Sequence, residues 1–133
     1  PMVAASDEVG VFGHGYTYSG HPVGCAAALK TLEIYERDNI YAHAAQMGDY
    51  LQERLASLAD HERVGEVRGA GLIAAVELVD DKTSRAPALD MTKRAAQICQ
   101  DNGLIVRPVA GCALALCPPL IITREQEDEI VDI

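Results

Sequence analysis

The sequence predicts an α+β fold in which a small, largely antiparallel sheet is covered by helices. Two observations carry that prediction. Apolar residues recur at spacings of three and four over 40–60, then give way to β-branched and near-alternating runs over 64–79. The order of patterns along the chain is helix, helix, strands, helix, strands, helix, with no internal repeat and no low-complexity tract.

Residues 1–13 carry no strong pattern, and 1–21 reads as a connecting loop ahead of one domain over 22–133. The stretch His14-Gly15-Tyr16-Thr17-Tyr18-Ser19-Gly20-His21-Pro22 is punctuated by glycine, rich in hydroxyls, and leads straight into a helix. Pro22 suits the first helical position, where its missing N–H costs nothing. The first turn of such a helix leaves N–H groups unpaired and carries the positive end of the macrodipole, so the segment has the geometry of an anion receptor. Thr17 and Ser19 can add hydroxyl donors there. The same pattern also suits an ordinary loop and helix start, in which a turn hydroxyl bonds its own backbone.

The first helix is expected over Pro22–Asp38. Its opening turns are small (Gly24, Cys25, Ala26, Ala27, Ala28) and its later ones charged (Lys30, Glu33, Glu36, Arg37). A second helix is expected over Ile40–Asp60, with Ala44, Met47, Gly48, Leu51, Leu55 and Leu58 as one apolar stripe. Val64–Val79 reads as two strands bent or joined at Gly69-Ala70-Gly71, and 80–87 as an exposed loop. A third helix follows, capped by Asp90 and closed by Gly103 as the left-handed residue past its end. Leu104–Pro108 is expected as a strand, Ala110-Gly111 as a turn, and Ala113–Cys117 as a returning strand ended by Pro118-Pro119. Thr123-Arg124-Glu125-Gln126 is a capping box for a last helix with Ile130, Val131 and Ile133 on its apolar side.

A chain of 133 residues supports one domain with a real core, and 49% hydrophobic with 23% charged residues is ordinary for a globular chain. The formal net charge of −9 argues against nucleic acid and anionic membrane surfaces as partners. No apolar run approaches the ~20 residues of a transmembrane helix, and no signal peptide is visible. Cys25, Cys99, Cys112 and Cys117 form no Cys-x-x-Cys pair, and no histidine stands at metal-ligand spacing from them. Buried free thiols in a reducing cytoplasm are the expectation, with no metal site.

The glycine–hydroxyl loop and its alanine-rich helix resemble the signature of class III (omega) aminotransferases, enzymes of fold type I that use pyridoxal phosphate. Arg68-Gly69-Ala70-Gly71-Leu72 with Ala75-Val76-Glu77-Leu78 resembles that family's Arg-Gly-x-Gly-Leu turn and following strand. Ile105-Val106-Arg107-Pro108 and Leu116-Cys117-Pro118-Pro119-Leu120 resemble its substrate-arginine strand and Pro-Pro-Leu turn. The match runs from about Val11 to the end, four motifs in the family's order. The resemblance implies a homodimer in which Thr17, with the backbone of Tyr16 beside it, touches the phosphate of the neighbouring subunit's cofactor. It implies that Arg107 recognises a substrate carboxylate and can swing aside for an amine that has none. It also implies a ping-pong reaction from an amine or omega-amino acid to an α-keto acid such as pyruvate.

The family's cofactor lysine and main phosphate turn precede this loop, and Lys30, Lys82 and Lys93 do not resemble that lysine's setting. The chain starts at Pro1 and stops at Ile133 inside an apparent helix, so it reads as the C-terminal part of such an enzyme, inactive alone. No residue present is assigned a catalytic role. Candidate amino donors include β-alanine, polyamines, γ-aminobutyrate and aromatic amines, and decarboxylases and epimerases share the fold. The turn after Arg107 (Val109-Ala110-Gly111-Cys112) departs slightly from the family pattern.

Other roles stand beside these. In isolation, Arg107 suits a strand arginine that snorkels or pairs with a surface carboxylate. His14 and His21 suit loop hydrogen bonding, Arg68 and Glu77 suit sheet pairing, and Tyr16 and Tyr18 suit packing at an interface. A free-standing ferredoxin-like domain that senses an amino acid, or a dimerisation module built on the alanine-rich helix, are the alternatives from other classes.

Overall fold

The computed structural model describes residue 10 and residues 15–133; His14 lies outside the described residues. The chain divides into two compact units, Pro1–Ile34 and Tyr35–Ile133, with the boundary in sequence falling inside the first helix. That helix, α1 (Pro22–Arg37), opens on Pro22 as expected, and none of its residues is buried.

In the second unit, α2 (Ile40–Ala56) buries Ile40, Met47, Gly48, Leu51 and Leu55, which is the expected stripe. The helix is shorter than the sequence suggested, because Ser57–Asp60 tightens into a 3₁₀ turn before the chain leaves for the sheet. Strands β1 (Val64–Ala70) and β2 (Ile73–Asp81) form a hairpin, and a short β3 (Ala86–Pro87) lies in the segment expected as loop. Helix α3 covers Leu89–Asp101, followed by β4 (Arg107–Val109), β5 (Ala113–Leu116) and α4 (Arg124–Asp132). The main sheet runs β1-β2-β5-β4, every described pairing in it is antiparallel, and β3 pairs with β2. The predicted α+β class holds.

Register separates two faces. Ala74, Val76 and Leu78 of β2 point into one core with Met47, Leu51 and Leu55 of α2, Leu116 of β5 and Ile122. Met91 and Ala95 of α3 and Ile130 and Val131 of α4 pack against the same cluster, so the helices lie on one side of the sheet. The opposite face carries the intervening residues. Helix α2 approaches the β1–β2 hairpin backbone to backbone: a Cβ placed on Gly48 would lie 2.5 Å from the Gly71 Cα. Gln52 Nε2 donates to the Gly71 carbonyl at 2.7 Å and holds the turn there.

Three local expectations need correction. Asp90 is not the cap of α3; that position belongs to Ala88, whose carbonyl accepts from the Thr92 amide at 2.9 Å and from the buried Thr92 hydroxyl at 2.8 Å. Strand β4 starts at Arg107, not at Leu104, because ladder pairing with β5 begins at Arg107. Cys25 and Cys117 are exposed and Cys99 and Cys112 half-buried, so the thiols are free but not interior. Burial pushes the Cys99 thiol up, which favours its protonated form. Gly103 closes α3 with φ +93°, and Thr123 and Gln126 make the reciprocal capping box, both as expected.

Candidate functional site

In the loop before α1, the Ser19 amide donates to the Tyr16 carbonyl at 2.9 Å, and the Tyr16 amide donates back to the Ser19 hydroxyl at 2.9 Å. Ser19 therefore takes the turn-closing role that either hydroxyl could have filled. Gly20, at φ +72°, turns the chain into Pro22, and the Cys25 amide makes the first helical bond to the His21 carbonyl at 2.9 Å. Thr17 is exposed, and its hydroxyl makes no hydrogen bond among the described residues. The first turn of α1 contains no acidic residue. Helix geometry leaves the Val23 and Gly24 amides without a carbonyl one turn back inside the helix. A hydroxyl free of local bonds, beside an open helix start without negative charge, suits an anion. Tyr16 and Tyr18 are 71% and 80% exposed, and the Tyr18 ring stands 6.1 Å from that of His21.

Arg107 belongs to the second unit. It opens β4, the outermost strand, and faces Ala115 of β5, which in turn faces Ala75 of β2. Directly opposed residues of antiparallel strands share a face, so Arg107 stands on the side away from the helices, in a row continued by the two alanines and Arg68. The alanine methyls leave the space beside the guanidinium open. Arg107 is exposed, and among the described residues it makes no ion pair. The strand arginine therefore has no surface carboxylate of this kind to occupy it.

Arg68, three strands away and so about 14 Å across the sheet, is differently placed. Glu66 of β1 and Glu77 of β2 oppose each other, an unfavourable pairing of like charges. Arg68 Nη1 reaches both, at 3.2 and 2.9 Å, and offsets part of their repulsion. Its role in joining the strands is the one expected.

The lysines are engaged locally. Lys30 pairs with Glu33 at 2.7 Å, Lys82 donates to the Ala59 carbonyl at 2.6 Å, and Lys93 lies 3.6 Å from Asp90. Among the described residues no group of three or more His, Cys, Asp or Glu side chains is arranged to hold a metal ion, and no helix is long and apolar enough to cross a membrane.

Two features of this half escaped the sequence. One is the alanine row beside Arg107, signalled only by small residues at alternate positions of two separate strands. The other is Glu127, fully buried although it sits in the charged run Arg124–Glu129. Neither of its carboxylate oxygens has a hydrogen-bond partner among the described residues, and burial, reinforced by Asp128, pushes its carboxyl up.

Comparison with known proteins gives one answer. The model of the aminotransferase class-III family matches residues 2–133. A diaminobutyrate–2-oxoglutarate transaminase of Halomonas elongata is 47% identical over 129 residues, covering 93% of this chain and 28% of that protein. A probable mitochondrial γ-aminobutyrate transaminase 2 of Oryza sativa is 40% identical, covering 96% of this chain and 26% of its own length. Among solved structures, the omega transaminase of Pseudomonas jessenii in complex with PMP superposes with a TM-score of 0.81 at 47% identity, over 98% of this chain and 29% of that one. The chain thus spans about a quarter of the length of the relatives it matches.

Proposed function

Because the chain belongs to the class-III aminotransferase family, we propose that it forms the C-terminal part of a pyridoxal-phosphate-dependent omega-aminotransferase. The reaction moves an amino group from an amine or omega-amino acid to an α-keto acid such as pyruvate. On this reading residues 1–21 are a loop reaching from a preceding large domain, and 22–133 are the small domain. The loop crosses a homodimer. The partners are small amines and keto acids, with neither nucleic acid nor membrane involved. The cysteines, free among the described residues, suit a reducing compartment, the cytoplasm.

The residues present fit the cofactor's phosphate. Thr17 offers a hydroxyl without a hydrogen bond among the described residues, the Tyr16 backbone lies beside it with its amide engaged by Ser19, and the first turn of α1 adds amides without an intrahelical partner and a positive dipole end. When bound, pyridoxal phosphate supplies the electron sink and carries the amino group between substrates. The task of this segment is to steady the phosphate and orient the acceptor. On this reading the cofactor lysine belongs to a part of the enzyme preceding this segment, and Lys30, Lys82 and Lys93 are engaged in local contacts. Alone, the 133 residues do not transaminate.

One observation carries the substrate half of the proposal: Arg107 stands exposed in an alanine-walled row without an ion pair among the described residues. A guanidinium stays charged at every working pH and offers a planar, two-pronged donor set that matches a carboxylate. Its place on an edge strand gives the long side chain room to turn away when the substrate has no carboxylate.

The test compares two acceptors in the full-length enzyme, pyruvate and an aldehyde of similar size. Arg107→Ala should reduce kcat/KM for pyruvate by about ten- to a hundredfold, the worth of a charge-assisted hydrogen-bonded pair. Aldehyde turnover should change by less than about threefold. Equal losses with both acceptors would take Arg107 out of carboxylate recognition.

A further inference from the structure

The least expected group in the second unit is a carboxylate with no hydrogen-bond partner. Glu127 lies in the first turn and a half of α4, at 0% exposure, and α4 packs against α2. Both oxygens are buried without a hydrogen-bond partner among the described residues. Two positions earlier in the same turn, Glu125 is exposed, and its carboxyl is held below the usual range by its own backbone amide and by Thr123. Neighbouring carboxyls of one helix are thus driven in opposite directions by their surroundings.

The seam around Glu127 is polar at its margins and closed at its centre. From α2, His43 Nε2 donates to the Ile122 carbonyl at 2.8 Å; that oxygen can only accept, so the proton sits on Nε2. Also from α2, Tyr50 donates to Asp128 Oδ1 at 2.7 Å. Arg54 Nε lies 2.7 Å from the same oxygen, within ion-pair range though angled away from a hydrogen bond. Arg54 also reaches Asp132 at 3.5 Å, and Arg124 of α4 stacks 4.7 Å from the centre of the Tyr50 ring. Of these groups, Asp128 opposes ionisation of Glu127, while His43 and Arg124 favour it. Desolvation is the largest of these influences and sets the direction.

We infer that Glu127 makes the α2–α4 seam a pH-sensitive latch. With its carboxyl protonated, α4 and the Ile122–Thr123 turn stay seated on α2, and loss of that proton to solvent loosens them. A neutral carboxyl is a modest burden in an apolar seam, whereas an isolated carboxylate without a donor is a heavy one. The sign follows from linkage. The folded state holds this proton more tightly than the unfolded chain, so the contribution to stability is complete below the ordinary glutamate range. It is lost as pH rises through the raised folded value. The latch does not depend on the substrate assignment.

Amide exchange of residues 123–132 in the full-length protein tests this, read by mass spectrometry between about pH 4 and about pH 8. Rates in the parent are divided by those in Glu127→Gln at each pH, which cancels the intrinsic pH dependence of exchange. The ratio should climb severalfold from acid to neutral pH, the direction expected for a carboxyl that holds its proton more tightly in the folded state than in the unfolded chain. A penalty from burying the glutamine amide would be independent of pH and would leave that slope intact. Glu127→Leu, which removes the polar atoms, should give the same slope with slower exchange throughout. Removing the favourable charge in Arg124→Gln should move the midpoint of the climb to higher pH, because the carboxylate then has less support. A ratio flat with pH for both Glu127 variants would overturn the latch.

Discussion

Two hydroxyls separated by one residue have different environments in the loop before α1. Ser19 is bonded into the turn by the Tyr16 amide, while Thr17 is left without a hydrogen bond among the described residues. That difference sets a residue-level prediction for the full-length enzyme. Thr17→Ala should weaken retention of pyridoxal phosphate by about tenfold, the worth of one hydrogen bond to a charged group. Thr17→Ser should recover most of it, because only the hydroxyl is at issue. Cofactor dissociation, followed by absorbance after dilution, gives the measurement; indistinguishable rates in parent and alanine variant would assign the phosphate to other donors. The residue pattern alone put both hydroxyls in one loop without separating them, since which one closes a turn depends on backbone angles; the family resemblance singled out Thr17.

At the scale of elements, helix α2 and the β1–β2 turn meet so closely at Gly48 and Gly71 that no side chain fits at that point. Substituting Gly48 with alanine would normally favour a helix by about 1 kcal/mol. Here the added methyl would meet Gly71 backbone at 2.5 Å, and backbone cannot rotate away as a side-chain end could. We expect Gly48→Ala to destabilise the protein by about 1–3 kcal/mol, the usual range for overpacking, against its own helix propensity. Urea denaturation followed by circular dichroism measures it, and a gain in stability would mean that the hairpin is not seated on α2. Spacing alone identified Gly48 as part of the buried stripe, because burial on a helix repeats at three and four. The capping box of α4 was equally legible, being a local pattern closed within four residues. The start of β4 was not: Leu104–Val106 has strand composition, but a strand exists only where a partner pairs with it, and pairing is non-local. Glu127 was illegible for the same reason, since its charged neighbours disguise a position that the packing of α4 on α2 buries.

For the whole second unit, the sheet separates the packed core from the proposed carboxylate site by face. The helical side holds Leu51 at 0% exposure within the core cluster, while the other side presents Arg107 beside Ala115 and Ala75. Substitutions on the two faces should therefore have opposite signatures. Leu51→Ala removes three carbons from a fully buried site and should cost about 3 kcal/mol of unfolding free energy, leaving the acceptor preference of the surviving folded enzyme unchanged. Ala115→Leu adds bulk at a half-buried position on the face away from the helices and should shift stability by less than about 1 kcal/mol. The larger side chain would crowd the guanidinium opposite, so kcat/KM for pyruvate should fall while turnover of an aldehyde acceptor persists. Denaturation curves and paired acceptor kinetics on the same two variants read both effects together. If Ala115→Leu depressed both acceptors equally at unchanged stability, the open face would not be where the keto-acid carboxylate is recognised, and Arg107 would be exposed there for another reason.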